Sequence, residues 1–284
     1  KRHKLTTTSL FAQLAPSVLA VEPEEFERAA RMLKTRTGIL LGEHKREMAI
    51  RTLGMRARRM GAASVGAYLS VLAQSPDSTE WHDFVNAFTI NHTAFFREQH
   101  HFEILKKFIR TRSKPISIWC AAASTGEEPY SLAMTLREAL PSGQGHCRIW
   151  ATDIDTQAIA RARKGVFTLE RVKDIPEVLL KKYFLRGTAA KAGLVRVKPI
   201  LRDMIDFESL NLLDPRWPVD GKFDAIFCRN TMIYFDRDTQ SALLDRFAPL
   251  LKKDGLLFAG HSENFTYLTK RFKLQGQTVY TAVG

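Results

Sequence analysis

The sequence predicts an α/β protein: a doubly wound, mostly parallel sheet, preceded by a helical domain and interrupted by a small inserted β-subdomain. Three observations carry this expectation. Strand-length apolar runs alternate with helical patterns from Ile116 onward. The residues before Ser113 show helical periodicity alone. The interval between Gly165 and Arg202 is too long for a simple crossover. With 284 residues, 45% hydrophobic and 26% charged, the chain suffices for roughly two domains and a sizeable core.

Taken in order, Phe26, Ala30, Leu33 and Ile39 lie near one helical face, with Gly38 as a C-cap. A second helix from about Glu43 to Met60 turns Ala49, Leu53, Ala57 and Met60 inward, leaving Lys45, Arg51, Arg56, Arg58 and Arg59 exposed on the opposite side. Val65, Leu69 and Leu72 mark a third helix, and Trp81, Phe84, Val85 and Phe88 a fourth. The expected organisation is a helical domain over 1–90, a linker and lid over 91–115, and an α/β domain over 116–284 with a β-insertion at about 166–201. Strands are expected at Ile116 to Cys120, Arg148 to Thr152, Ile205 to Ser209, Phe223 to Cys228 and Leu256 to Gly260. Phe272 to Tyr280 reads as a hairpin that adds an antiparallel edge.

Composition excludes several classes. No apolar run approaches the ~20 residues of a membrane span, and the start does not read as a signal peptide; a soluble protein without membrane insertion is expected. The chain begins at Lys1 rather than Met, so the natural N-terminus is expected to have been removed or replaced. Cys120, Cys147 and Cys228 lack paired spacing, which suits reduced thiols in the cytoplasm. Eight scattered histidines without ligand spacing speak against a metal. The net charge of +13 is uneven: residues 28–59 hold many Lys and Arg against only Glu43 and Glu47. An acidic partner, nucleic acid or protein, is expected there.

The most informative stretch runs from Ile116-Ser117-Ile118-Trp119-Cys120 through Ala121-Ala122-Ala123-Ser124-Thr125-Gly126 to Glu127-Glu128-Pro129-Tyr130-Ser131. It reads as strand, small-residue loop and helix start. It lacks both G-x-G-x-x-G and G-K-[ST], so the groups that cradle phosphates are missing, and Glu127 and Glu128 would repel a pyrophosphate. A nucleoside with a sugar edge, an amino group and no phosphate fits better, and S-adenosylmethionine is the common one. The next strand ends in Asp153, where a ribose diol would be hydrogen-bonded. The bland alternatives are an ordinary acidic helix start and an ordinary strand-end Asp.

Ligands in such sheets sit outside the carboxyl ends of the strands, which singles out Ser124, Thr125, Glu128, Asp153, Asn211, Arg229 and Asn230. Asn211 beside Leu212 offers an adenine both polar and apolar contact, although strand-end Asn and Asp also cap turns. Asn91-His92-Thr93-Ala94-Phe95-Phe96-Arg97-Glu98 is either a lid over the cleft or an interdomain packing segment with a solvated Arg97. Tyr234 is either a core aromatic or a cleft residue. Gly260-His261-Ser262-Glu263-Asn264 superficially suggests a nucleophile elbow, but its fifth position is Asn and a triad is not made of sequence neighbours.

Asn91 to Glu98, Ala122 to Ser131, Ala151-Thr152-Asp153-Ile154-Asp155, Phe227-Cys228-Arg229-Asn230-Thr231-Met232-Ile233-Tyr234-Phe235 and Gly255 to Glu263 together resemble the CheR family, the chemotaxis receptor methyltransferases. The resemblance spans nearly the whole chain. It implies methyl transfer from S-adenosylmethionine, leaving S-adenosylhomocysteine, to glutamate side chains of bacterial chemoreceptors (methyl-accepting chemotaxis proteins) in the cytoplasm. Carried over by motif position, Asn91, Thr93, Arg97, Glu128, Asp153, Asn211, Leu212, Arg229 and Asn230 would line the cofactor site, with Arg97 and Tyr234 serving the chemical step. Lys45, Arg51, Arg56, Arg58 and Arg59 would face an acidic helical methylation region. The β-insertion resembles the part that docks a receptor tail peptide in some members.

Two rival readings are weighed. A nucleic-acid methyltransferase would explain the basic segment, yet that segment has no interleaved aromatics and no RNA-binding module accompanies it. A non-catalytic adaptor would have lost the cofactor positions, and Asp153, Glu128 and Arg97 are present.

Overall fold

The computed structural model describes residues 18–140 and 147–283; the expectations about the chain's start lie outside them. The described residues form two compact units, one holding residues up to Thr35 and Leu40–Phe88, the other Arg36–Ile39 and everything from Thr89 on.

In the helical unit, α1 (Pro23–Thr37), α2 (Arg46–Arg59), α3 (Val65–Gln74) and α4 (Thr79–Phe88) each bury one stripe. Phe26, Ala29 and Leu33 are the inward residues of α1, so Ala29 takes the place expected for Ala30. Gly38, with φ of 75°, stops that helix as a left-handed cap. On α2, Ala49, Leu53 and Ala57 are buried as expected, but Met60 is 52% exposed because the helix ends at Arg59 and its stripe ends with it. Gly54 lies where an added Cβ would be 2.3 Å from the Leu19 carbonyl oxygen, so the chain before α1 packs directly on the α2 backbone.

One expectation on α2 is corrected. Arg56 is not part of an exposed basic face: its side chain is 12% exposed and forks onto Glu80 of α4, Nε at 3.0 Å and Nη2 at 2.8 and 2.7 Å from the carboxylate oxygens. Asp83 lies 3.5 Å from the same guanidinium, and the Tyr68 hydroxyl donates to Glu80 at 2.6 Å. Burial works against the Arg56 charge, and the Glu80 hydrogen bonds overcome it, so its proton is held more tightly than usual. The residue that decides this is on another helix. Arg51, Arg58 and Arg59 are exposed, and Lys45 is half-buried in the 3-10 turn ahead of α2.

The segment expected as linker and lid contains α5 (His100–Ile109), whose His101, Phe102, Leu105 and Ile109 are buried. Then come β1 (Ile116–Cys120), α6 (Glu127–Ala139), β2 (Cys147–Asp153) and α7 (Thr156–Lys164). The insertion supplies β3 (Val166–Thr168), α8 (Glu177–Tyr183), β4 (Phe184–Arg186), β5 (Leu194–Val197) and α9 (Pro199–Arg202), with a three-stranded antiparallel sheet in the order β3-β5-β4. The chain returns with β6 (Ile205–Ser209), β7 (Phe223–Phe227), α10 (Arg237–Phe247), β8 (Leu251–Phe258) and the hairpin β9 (Phe272–Gly276) and β10 (Val279–Ala282).

The main sheet runs β6-β2-β1-β7-β8-β10-β9. Its first five strands are mutually parallel, and β10 and β9 join antiparallel. Strands covered on both faces are mostly apolar, and β7 is buried throughout, its one charged residue, Asp224, paired to Arg112 and Lys252. One core cluster gathers α5 and α6 with Ile118, Ile149 and Phe227; the other gathers Trp119, Ile226, Leu257 and Phe247. Successive residues of β1 thus enter opposite clusters, as the period of a strand requires. Winding proceeds outward from β1 to β2 and β6, then restarts on the other side with β7, so the order reverses between β1 and β7. That reversal opens the crevice where ligands of such sheets bind.

Candidate active site at the carboxyl ends of the parallel strands

The turn from β1 into α6 forms one wall. Gly126 has φ of 103°, and a Cβ there would lie 3.0 Å from the Cβ of Ala162 on α7, so glycine is required by both backbone and packing. Asp153, at the tip of β2, accepts the Ser124 N–H at 2.8 Å and the Asp155 N–H at 2.9 Å, one on each oxygen. Burial pushes its carboxyl up to about 6, while those backbone hydrogen bonds work against the rise. Asn91 spans this wall: its Oδ1 accepts from the Ser124 hydroxyl at 2.7 Å and its Nδ2 donates to Asp155 at 2.6 Å. Asp155 also accepts from the Thr89 hydroxyl at 2.7 Å and N-caps α7 through Gln157 and Ala158.

The second wall is built on charge. Glu128, in the first turn of α6, lies 3.0 Å from Nη1 of Arg229 at the end of β7 and accepts from the Cys120 thiol at 3.2 Å. Burial raises the Glu128 pKa, and Arg229 opposes it. The Arg229 side chain is 0% exposed. Its Nη2 donates to the Arg97 carbonyl and lies 3.6 Å from Glu98, and its plane stands 5.6 Å from the Phe102 ring. Its Nε and Nη1 are buried without a hydrogen-bond partner.

Glu98, in the left-handed region at φ of 57°, accepts from the His261 ring at 3.0 Å and from the Asn230 amide at 3.3 Å. Burial would raise its pKa, but the His261 hydrogen bond and the Arg229 charge prevail and hold the carboxyl down at about 2. Arg97 donates to the His92 carbonyl at 2.8 Å. It also lies near enough to Tyr234 to oppose the rise that burial imposes on that hydroxyl.

The structure therefore brings Asn91, Glu128, Asp153, Arg229 and Asn230 together, with Arg97 and Tyr234 at their margin. Thr93 is tied through its carbonyl to Arg171 of the insertion, at 3.3 Å. Asn211 holds a turn, donating to the Arg36 carbonyl at 2.7 Å and accepting from the Leu213 N–H at 3.0 Å, and Leu212 beside it is buried. Lys45, Arg51, Arg58 and Arg59 belong to the helical unit. Sequence reasoning passed over Glu98, Asp155 and Glu263 as site residues. Asp155 carried a usable signal, an acidic residue immediately before a helical pattern; the other two reach the Arg229 turn from residues distant in sequence.

The side chains suit S-adenosylmethionine. An amino-acid moiety carries an ammonium and a carboxylate, and the Glu128–Arg229 pair offers one acceptor and one donor of matching charge, with the Arg229 Nε to spare. Asp153 offers a carboxylate to hydroxyls, and the helix start carries Glu127 and Glu128, each paired to an arginine.

Comparison with known proteins agrees. Residues 91–281 match the family described as CheR methyltransferase, SAM binding domain, and residues 24–89 match CheR methyltransferase, all-alpha domain. The chain is similar to the chemotaxis protein methyltransferase of Escherichia coli (strain K12), 50% identical over 273 residues that cover 96% of this chain and 95% of the relative. It is 49% identical over 273 residues to that of Salmonella typhimurium (strain LT2), covering 96% and 94%. It is 34% identical over 254 residues to that of Borreliella burgdorferi (strain B31), covering 86% and 89%. Matched in both its helical and its sheet-bearing parts, the chain belongs to the CheR family of S-adenosylmethionine-dependent chemotaxis methyltransferases.

Proposed function

We propose that this enzyme forms methyl esters on glutamate side chains of bacterial chemoreceptors in the cytoplasm, and that Asn91, Thr93, Arg97, Glu128, Asp153, Asn211, Leu212, Arg229 and Asn230 line its cofactor site. The observation that carries the site assignment is Arg229: buried, paired to Glu128 through Nη1, and left with an unsatisfied Nε where the sheet order reverses. S-adenosylmethionine, when bound, supplies a sulfonium methyl that is already activated. A glutamate carboxylate is already ionised near neutral pH, so the residues here need not remove a proton. Their work is to align acceptor and donor and to keep water out, a proximity effect that can supply about 7–11 kcal/mol. Arg97, beside Tyr234, steers the incoming carboxylate without holding it so tightly that it loses nucleophilicity; Tyr234 orients it by hydrogen bonding. Transfer of labelled methyl groups to isolated receptor membranes, followed by release of the label in base, tests the reading. Label that resists base would overturn it.

The exposed arginines of α2 face an acidic helical methylation region of the receptor, and the insertion docks a receptor tail peptide by strand addition to its three-stranded sheet. The sheet's outer strands expose Val166 and Leu185. Leu185→Asp should weaken binding of the tail peptide at least tenfold while cofactor affinity stays unchanged; retained peptide affinity would move the dock elsewhere. Among the described residues no helix is long and apolar enough to cross a membrane.

A further inference from the structure

The segment that superficially suggests a nucleophile elbow has another use. Glu263, 3% exposed, receives four backbone N–H groups on its two carboxylate oxygens. Gly260 at 2.6 Å and Asn230 at 2.9 Å donate to Oε2; Thr231 at 2.9 Å and Ile233 at 3.3 Å donate to Oε1. Three of these donors belong to the turn that leaves β7. Converging N–H groups of this kind form a concavity that suits an anion, and here a side chain from after β8 fills it. The turn depends on that filling: Asn230 sits in the left-handed region at φ of 56°, which a non-glycine residue adopts at a cost.

The rest of the segment serves the same end. A Cβ at Gly260 would lie 2.3 Å from Nδ2 and 2.8 Å from the backbone N of Asn230, so only glycine lets the two strand ends approach. His261 holds Glu98, which in turn accepts from Asn230. The buried Tyr280 hydroxyl accepts the Phe265 N–H at 3.2 Å and donates to the Glu263 carbonyl at 3.4 Å, anchoring the segment to β10.

We propose that Glu263 is a positioning residue for methyl transfer: its carboxylate fixes the turn that begins at Arg229 and ends at Tyr234, and thereby aims Arg229 and Asn230 at the cofactor. The proposal rests on the reading that Arg229 and Asn230 line the cofactor site. Its chemistry is specific. An ionised carboxylate only accepts, so all four N–H groups are satisfied at once. A glutamine of the same shape sets an NH2 group against two of them, whichever way the amide is turned.

The test is Glu263→Gln, measured by calorimetry with S-adenosylmethionine and by amide hydrogen exchange. Cofactor affinity should fall about tenfold or more, with exchange protection lost at Asn230, Thr231, Ile233 and Gly260 ahead of the rest of the sheet. Leu136→Ala on α6, a buried core truncation away from the turn, should lower stability yet keep the affinity. Parental affinity in Glu263→Gln, or an equal loss in Leu136→Ala, would overturn the proposal. Asp153→Ala is run in parallel. If it loses affinity while Glu263→Gln does not, the clamp alone fails; if neither loses affinity, the site reading fails with it. Should Glu263→Gln not fold, Glu263→Asp retains the charge but withdraws it by one methylene, and it must still weaken cofactor binding for the proposal to stand.

Discussion

Two arginines, one in each unit, set an ion pair that builds a fold beside one that lies at the proposed site. Arg56 spends its guanidinium inside the helical unit, on Glu80 and Asp83, while Tyr68 occupies the same Glu80. Arg229 is buried more deeply, its side chain 0% exposed against 12% for Arg56, and has two carboxylates nearby, yet Nε makes no hydrogen bond. A buried donor without a partner costs about 1–3 kcal/mol. A fold tolerates that cost where a ligand will supply the partner. Charge is common to both arginines; the depth of burial and the unsatisfied Nε separate them.

The largest effect that could break this comparison is on stability. Arg56→Ala leaves the half-buried Glu80 without its cation, which costs about 3 kcal/mol, the low end for a buried pair. Denaturant unfolding should show that loss for the helical unit, with cofactor affinity unchanged by calorimetry. A comparable loss of affinity would place Arg56 in the site.

Next in size is Arg229→Lys, which keeps the charge opposite Glu128 and removes the fork. Losing one charged hydrogen bond, worth about 1.5–3 kcal/mol, should weaken S-adenosylmethionine binding roughly tenfold to a hundredfold with little change in melting temperature. If binding is retained, the unsatisfied Nε is a structural defect and the contrast with Arg56 collapses.

Asp153 sharpens the comparison through pH. Its folded pKa is raised to about 6 from an ordinary value of 3.8, so as pH rises between those values the folded protein loses stability to the cost of ionising it. Hydroxyl donors prefer the ionised form, so cofactor affinity should fall as pH drops through about 6. Asp153→Asn should flatten that dependence; an unchanged profile in the variant would assign the effect to another group.

The smallest effect concerns the arginines of α2 that are exposed. Replacing Arg51, Arg58 and Arg59 together with Ala should slow receptor methylation at low ionic strength and converge with the parent as salt rises, because solvent-exposed charges act mainly on association. Cofactor affinity should not change. A triple variant that methylates receptors normally but loses affinity for RNA would favour a nucleic-acid partner for that face.

Much of this is legible in the sequence. The apolar runs of β1 and β7 announce themselves by length, Gly38 by its place after a helical stripe, and the final hairpin by the turn at Gly276-Gln277. Asp153, Glu128 and Arg229 were accessible by the rule that ligands gather where strands end. Arg56 was misjudged because helical periodicity states which face a residue occupies, whereas its partner lies on α4, 24 residues away. Glu98 and Glu263 were missed for the same reason, since the contacts that tie each of them to Asn230 and its turn span at least 30 residues of sequence.

By itself, then, the sequence determined the local elements, the loop without a phosphate-cradling motif, and the small set of polar residues at strand tips, because periodicity, glycine and charge act over a few neighbouring positions. Tertiary structure alone decided the strand order that opens the crevice between β1 and β7, the pairing that makes Arg56 structural, and the carboxylate of Glu263 that holds the Arg229 turn. Those outcomes depend on which buried donors and acceptors meet across the fold, and no short-range pattern encodes that meeting.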